Sequence, residues 1–238
     1  LANELGIQLD VVDYSNQMQL VKDYFIKEYK SGNTPNPCVI CNKEVKFKPF
    51  IDYANKIGAD YFATGHYAAI KHITGKTILK KAVDKNKDQT YFLCQLTKEQ
   101  LSKALFPLGE YSKEEVRKIA IENNLITAQT KESYDICFLG SAKFKDYMKN
   151  NYPEKPGNII DIRTGKVVGK HTGISKYTIG QRRGLDIGGK NGFEENRWFV
   201  VKKDVTNNTL YVNCGECDEM FSSACVVTEF NWISDKLT

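Results

Sequence analysis

Two cysteine-containing segments have the residue types that sulfur chemistry requires. Cys41 lies in TPNPCVICNK at positions 34–43, and Cys137 lies in YDICFLG at positions 134–140. A thiolate attacks sulfur carried on a second cysteine, so two thiols that are remote in sequence act together when the fold brings them close. The pair therefore predicts a sulfur-transfer site built from distant parts of the chain.

The first segment also predicts a stiff backbone, because prolines on both sides of Asn36 fix φ there. Within it, Cys38 and Cys41 form a C-x-x-C pair, which fits half of a zinc site, a redox dithiol or ordinary packing. A second C-x-x-C pair, Cys214 and Cys217, would complete four zinc ligands. The residues alone leave these alternatives open.

The other cysteines have a simpler interpretation, because free cysteine commonly packs as a small apolar residue. Cys94 and Cys225 both have apolar neighbours and are predicted to be core residues. Cys137 has similar neighbours, so core packing is also the competing interpretation for Cys137.

Composition sets the broad class of protein. The chain has 238 residues, 41% of them hydrophobic and 26% charged, which is typical of a globular protein with a real core. The net charge of +5 permits a polyanionic partner without requiring one. No apolar run approaches the roughly 20 residues of a membrane helix, so no membrane partner is expected. Seven cysteines in a chain of this size favour a reducing, cytoplasmic compartment.

The elements that position the first cysteine follow a strand–helix–strand order. A buried strand is predicted at 7–12 and a helix at 18–29. A second helix at 47–57 ends at Gly58, and a short strand follows at 61–64. This order predicts a parallel α/β sheet.

Ligands of such sheets bind beyond the carboxyl ends of the strands, where Gly65 and His66 follow the strand at 61–64. A glycine there lets a ligand approach the backbone closely. His66 either contacts a ligand or forms a hydrogen bond within its own loop. Lys87, Asp88 and Gln89 form a polar run for which a solvated loop is the simplest interpretation.

The texture of the chain changes after position 153. Before it, capping boxes at 97–100 and 112–115 predict two helices. After it, glycines and short β-type runs dominate, and the runs 198–201 and 209–212 predict a hairpin. We therefore predict three domains: an α/β catalytic domain at 1–142, a small mixed α/β central domain at 143–196, and the start of a β-rich domain at 197–238.

Basic residues gather in the glycine-rich stretch of the predicted central domain: Lys170, His171, Lys176, Arg182, Arg183 and Lys190. Such residues suit contact with a phosphate backbone, and an ordinary solvated surface is the alternative.

Five segments, taken together and in this order, resemble the bacterial tRNA-specific 2-thiouridylase family. They are TPNPxxxCNKExKF from Thr34, ATGHY from Ala63, KDQTYFL from Lys87, ICFxG from Ile136 and GQRRGL from Gly180. The resemblance covers nearly the whole chain. It implies a Rossmann-like domain of the adenine nucleotide alpha-hydrolase (PP-loop ATPase) type, a small central domain at 143–196 that contacts tRNA, and a C-terminal β-barrel, of which only the start at 197–238 is present.

The resemblance also implies a reaction. In the family, ATP, with Mg²⁺, adenylates the C2 oxygen of wobble uridine 34 in the tRNA anticodon arm, and a protein persulfide supplies sulfur. Cys137 would carry the persulfide received from a cysteine desulfurase or relay protein. Cys41 would be the partner thiolate, and a disulfide between Cys41 and Cys137 would remain at the end.

Binding roles follow from the same resemblance. Gly65 would contact ATP. The residues matching those that meet the target base or the tRNA are Asn36, Pro37, Cys38, His66, Lys87, Asp88 and Gln89. No resident metal is expected from the matched positions.

Two departures from the family pattern shape the expectations. The glycine-rich S-G-G-x-D-S type loop does not occur in the sequence, so this fragment alone is expected to be inactive. Cys38 stands where many family members carry Asp. Three thiols, Cys38, Cys41 and Cys137, would then suit an iron–sulfur cluster, which is a second hypothesis for the site.

Two other functions remain as alternatives. One is a zinc-stabilised RNA-binding module without catalysis, which the two C-x-x-C pairs suggest. The other is an ATP-dependent thiolase that acts on another base.

Overall fold

The computed structural model describes residues 1–73, 75–130, 136–139, 144–152, 155–187 and 197–233. Two compact units divide the chain. The first contains Leu1–Lys22, Asn36–Tyr134 and Thr228–Thr238, and the second contains Asp23–Pro35 and Asp135–Val227. The three domain boundaries given above remain predictions.

The α-helices are α1 (Ala2–Leu5), α2 (Ser15–Lys30), α3 (Pro37–Ile40), α4 (Lys48–Lys56), α5 (Lys98–Ser102), α6 (Lys113–Glu122) and α7 (Phe144–Asn151). The strands are β1 (Phe62–Ala63), β2 (Ala68–Ile73), β3 (Lys76–Lys81), β4 (Ala104–Leu105), β5 (Gly157–Asp161), β6 (Val167–His171), β7 (Trp198–Asp204) and β8 (Thr209–Cys214). A π-helix, Cys41–Phe47, joins α3 to α4, and short 3₁₀ helices include Thr90–Leu93 and Cys137–Leu139.

The first unit contains two small sheets. Strands β1 and β4 pair in parallel, and β2 and β3 form an antiparallel hairpin. Apolar side chains from the π-helix, the hairpin and α5 pack into one core, which includes Phe47, Ala68 and Leu101. This core holds the π-helix against the end of β1.

The strand predicted at 7–12 is wrong. The segment has no regular secondary structure and is exposed, with Val11 88% exposed, and it pairs with no strand in the described part of the chain. An extended backbone needs a neighbouring strand to satisfy its amides in a ladder, and apolar composition alone does not supply one. The segment instead lines a cavity of about 520 Å³ together with β1 and α4.

The predicted helix signals are confirmed. Thr97 and Ser112 each accept a hydrogen bond from the amide three residues later, and the side chain of that later residue returns to the cap, which completes both capping boxes. Helix α4 ends as predicted at Gly58, whose φ of +75° is easy only for glycine. The Ala59 amide donates to the Ala54 carbonyl at 2.8 Å, which closes a Schellman motif.

The second unit is built on a four-stranded sheet in the order β6-β5-β8-β7. The predicted hairpin is confirmed as the antiparallel pair β7 and β8, while β5 and β8 pair in parallel. Asn208, in the turn, has a φ of +50°. One face of the sheet buries Ile159, Val200, Leu210 and Val212 in the core.

The core placements predicted for Cys94 and Cys225 are wrong, because both thiols are exposed. Cys94 directly follows the 3₁₀ helix Thr90–Leu93, where Leu93 and Leu96 are fully buried. The turn faces these leucines inwards and Cys94 outwards. Apolar neighbours in sequence therefore did not identify the buried positions in a tight turn.

Candidate functional site

The stiff segment before Cys41 begins a helical run. Asn36 is the N-cap residue of α3, and Pro37 occupies its first turn, where proline's fixed φ suits helix initiation. Cys38 is half-buried, and Cys41 is buried at the start of the π-helix. A π-helix is rare and occurs most often at functional sites, because its wider turn shifts the register of the side chains.

Two buried amides hold the π-helix in place. Asn42, 2% exposed, donates from Nδ2 to the Phe92 carbonyl at 3.0 Å. Gln100 donates from Nε2 to the Lys43 carbonyl at 3.3 Å, while its Oε1 serves the capping box of α5. The Asn42 Oδ1 atom is buried without a hydrogen-bond partner among the described residues. Asn42, which directly follows Cys41, is therefore bonded to a segment 50 positions further along the chain.

Gly65 and His66 follow β1, as predicted, at its carboxyl end. Gly65 is exposed, and a methyl group added there would make only an ordinary contact with Leu108, so its backbone is open to a ligand. The His66 ring is half-buried beside the rings of Phe47 and Phe106, with centroids 5.7 and 6.1 Å away.

The environment of His66 keeps its ring neutral at neutral pH. Burial first, and then the positive charge of Lys46, lower the pKa of His66 from 6.5 to about 4. Its Nδ1 atom lies 2.8 Å from the Thr64 hydroxyl oxygen. A neutral imidazole of this kind donates or accepts a hydrogen bond to a ligand but brings no charge to it.

The loop that contains Lys87–Gln89 is held in place by hydrogen bonds to the Asp88 and Gln89 side chains. Asp88 accepts hydrogen bonds from the Ala82 amide at 2.9 Å and the Thr90 hydroxyl at 2.6 Å. The side-chain oxygen of Gln89 accepts a hydrogen bond from the Tyr67 main-chain amide at 2.9 Å, and the main-chain amide of Gln89 donates to the Tyr67 carbonyl at 2.8 Å. Gln89 is thereby fixed to the residue directly after His66.

The first unit thus brings together most of the predicted site residues. Gln89 joins the polar loop to the end of β1, and Asn42 joins the π-helix to the 3₁₀ helix that follows this loop. The arrangement links the surroundings of Cys41, His66 and Gln89 through hydrogen bonds and one shared core. Sequence reasoning gave no role to Asn42, although its position next to Cys41 was a usable signal.

Cys137 lies in the second unit, so its pairing with Cys41 stays a prediction. The Cys137 thiol is exposed, although its neighbours are anchored. Ile136 and Phe138 pack against a cluster around Phe25 and Met148, and the Phe25 and Phe138 rings are 5.3 Å apart. Positions 134, 135 and 140 of this segment, like Lys190 of the basic stretch, lie outside the described residues.

Cys214 and Cys217 are both in the second unit. Burial is the main cause that raises the pKa of each thiol, and a hydrogen bond to the Glu219 side chain raises that of Cys217 further. A raised pKa disfavours the free thiolate that a nucleophile requires. In the described ranges no group of three or more His, Cys, Asp or Glu side chains is arranged to hold a metal ion.

Comparison with known proteins defines the class first. Residues 1–141 match the family model described as the tRNA methyl transferase HUP domain, and residues 145–214 match the tRNA methyl transferase PRC-barrel domain. The predicted fold class is confirmed as a Rossmann-like HUP domain followed by a PRC-barrel domain, with mixed α/β secondary structure in several sheets. A separate, partial β-barrel at 197–238 stays a prediction.

Similar proteins then define the family. The chain is 47% identical over 237 residues to the tRNA-specific 2-thiouridylase MnmA of Alkaliphilus oremlandii, and 48% identical over 238 residues to that of Bacillus cytotoxicus. It is 50% identical over 236 residues to MnmA 1 of Geobacillus kaustophilus. These matches cover 98–99% of the chain and 63–64% of each relative. The chain belongs to the tRNA-specific 2-thiouridylase family, and it spans less than two thirds of the length of these relatives.

None of the helices in the described ranges is both long enough and apolar enough to cross a membrane.

Proposed function

We propose that the full-length protein is a sulfurtransferase that converts wobble uridine 34 of tRNA to 2-thiouridine in an ATP-dependent reaction. The observation that carries this proposal is the similarity to curated 2-thiouridylases along almost the entire chain. The construction of the first unit supports it, because hydrogen bonds fix Gln89 to the residue after His66, and fix Asn42, next to the buried Cys41, to the 3₁₀ helix that follows Gln89.

The two thiols take different roles that suit their surroundings. Cys137 is exposed on an anchored 3₁₀ helix, so a sulfur-donor protein can reach it and leave a persulfide there. Cys41 is buried, which protects it from nonspecific oxidation until tRNA is bound. The donor is a cysteine desulfurase or a relay protein, and the need for reduced thiols places the reaction in the cytoplasm.

The proposed sequence of steps balances in sulfur and electrons. ATP, with Mg²⁺, transfers adenylate to the C2 oxygen and releases pyrophosphate. The outer sulfur of the Cys137 persulfide attacks C2, and the C2–O bond breaks with release of AMP. The Cys41 thiolate then attacks Sγ of Cys137, which frees 2-thiouridine and leaves a disulfide. A reductant must restore both thiols before the next cycle.

The remaining site residues orient the substrates. Gly65 offers an open backbone to ATP at the end of β1. Asn36, Pro37 and Cys38 contact the target base, and His66, Lys87, Asp88 and Gln89 contact tRNA. The pocket must exclude water, since an adenylated uridine would otherwise hydrolyse, and this requires the base to leave its stack. The chain of 238 residues contains no S-G-G-x-D-S type loop, so we expect it to be inactive alone.

The test uses the full-length protein with tRNA, ATP, Mg²⁺ and a sulfur donor, and identifies the product nucleoside by mass spectrometry. Replacement of oxygen by sulfur changes the mass of the nucleoside by a different amount from methylation, the activity named in the description of the matching family model. We expect 2-thiouridine from the wild type and none from Cys41→Ser or Cys137→Ser.

Each variant has a matched control in the same chain. Cys214→Ser removes another buried thiol, as a control for Cys41, and Cys94→Ser removes another exposed thiol, as a control for Cys137. Cys225→Ser is a second exposed control. All three should keep wild-type thiolation. Wild-type thiolation by Cys41→Ser or Cys137→Ser would refute the role assigned to that residue.

Metal analysis of the same protein separates the alternatives. Stoichiometric zinc lost on replacing Cys214 and Cys217 would support the RNA-binding module. An iron-dependent visible absorption band after anaerobic reconstitution would support a cluster at Cys38, Cys41 and Cys137.

A further inference from the structure

The loop at residues 178–184, which we call the arginine loop, has a tightly fixed backbone. The Gly180 amide donates to the Val200 carbonyl at 2.7 Å, and the Val200 amide donates to the Gln181 carbonyl at 3.0 Å, so the loop is bonded to β7. The Gln181 side chain accepts from the Thr178 amide and donates to the Arg183 carbonyl, both at 2.9 Å. Hydrogen bonds within the arginine loop and hydrogen bonds to β7 therefore both fix its backbone.

The two ends of the arginine loop are anchored in the core of the second unit. Tyr177 before it and Leu185 after it are buried. Ile187 is also buried and lies so close to Gly169 that a methyl group at Gly169 would collide with it. Lys203 of β7 donates from Nζ to the Tyr177 carbonyl at 3.1 Å and so adds a cation at the start of the loop.

The side chains at the tip are cationic and face solvent. Arg182 and Arg183 are both exposed, and glycines with positive φ, Gly180 at +81° and Gly184 at +76°, stand on either side. In the described ranges neither guanidinium lies within ion-pair distance of a carboxylate. Two adjacent cations on a rigid turn are thus available to an anionic ligand.

We infer that the arginine loop binds the phosphate backbone of the substrate tRNA, an inference that rests on the proposed function. Guanidinium groups match phosphate oxygens with paired donors and lose little solvation on binding. A loop already fixed by its own hydrogen bonds loses little entropy when RNA binds. Contacts of this kind position the RNA and do not read its sequence.

The experiment measures the affinity of full-length protein for tRNA as a function of salt concentration. Each phosphate contact that is lost lowers the slope of log affinity against log salt by about 1. For Arg182→Ala/Arg183→Ala we expect binding weakened several-fold and a slope reduced by about 1 to 2. Arg182→Lys/Arg183→Lys keeps both charges and should keep the wild-type slope.

The matched control is Arg117→Ala/Lys118→Ala, which removes two adjacent exposed cations from α6 and changes the net charge equally. We expect its affinity and slope to stay close to those of the wild type. An unchanged slope in the Arg182→Ala/Arg183→Ala variant, or an equal loss in the control, would overturn the inference. So would loss of slope in the lysine variant, because the defect would then lie in the shape of the loop.

Two further outcomes separate this inference from its basis. Normal tRNA binding with lost sulfur delivery would assign the loop to an acidic protein partner and overturn the inference. Wild-type protein that binds tRNA through the loop but yields no 2-thiouridine would refute the proposed function and leave the phosphate contact standing.

Discussion

The neutral state of His66 predicts an acid-sensitive first unit. Burial and Lys46 lower the pKa of His66 to about 4, whereas an unfolded chain restores the value near 6.5. Between these two values the unfolded state binds a proton that the folded state does not. Stability from this residue is therefore complete above about pH 6.5 and is lost as the pH falls towards about 4.

The size of the effect follows from the shift. A difference between 6.5 and about 4 corresponds to about 3 kcal/mol when fully expressed, with about 1 kcal/mol lost by about pH 5.5. His66→Gln removes the titration and keeps a polar group near the Thr64 hydroxyl. The difference in unfolding free energy between wild type and His66→Gln should therefore shrink by these amounts as the pH is lowered.

The assay is urea denaturation of both proteins at several pH values, with NMR titration of the imidazole as a direct reading of the pKa. The subtraction removes every other titrating group. A pH-independent difference in unfolding free energy, or an imidazole that titrates near 6.5, would refute the packing described for His66.

Other predictions concern single buried contacts. Asn42→Ala removes the hydrogen bond to the Phe92 carbonyl and should destabilise the first unit by about 1–3 kcal/mol. The same substitution should speed alkylation of Cys41 by iodoacetamide. The control is Asn213→Ala, which replaces an equally buried asparagine in the second unit and should leave the rate of Cys41 alkylation unchanged. Unchanged Cys41 alkylation in Asn42→Ala would contradict its positioning role. Gly157→Ala would push a methyl group into the Asn208 carbonyl and the His171 ring and should cost more than about 3 kcal/mol by thermal denaturation. Gly165→Ala, which meets no atom but has a positive φ, should cost only about 1 kcal/mol, and equal losses would refute the collision.

Local signals predicted local structure well. The capping boxes at Thr97 and Ser112 specify their own hydrogen bonds, so reading them required no knowledge of the rest of the fold. The end of α4 is likewise set locally, by the positive φ of Gly58 that is easy only for glycine. The β7–β8 hairpin was also predictable, because its turn and its apolar runs are adjacent in sequence.

Features that depend on distant partners were harder to predict. The segment 7–12 has the composition of a strand, but pairing depends on what lies beside it. Cys94 has apolar neighbours in sequence but faces solvent, because the 3₁₀ turn, and not composition, sets its direction. The bridge from Asn42 to Phe92 spans 50 residues, so its role required the tertiary structure.

The candidate site shows the same contrast between features encoded locally in the sequence and features that depend on distant residues. The motifs around Cys41, His66 and Gln89 identified the family, and the structure fixes these three regions to one another. The π-helix at Cys41–Phe47 had no sequence signal that we could read.

The most direct test of the proposed sulfur transfer is a single turnover of the full-length protein without reductant, followed by alkylation, proteolysis and mass spectrometry. We predict a disulfide-linked peptide pair containing Cys41 and Cys137, formed in an amount equal to the 2-thiouridine produced. Formation of 2-thiouridine while both thiols remain free to be alkylated would contradict the account.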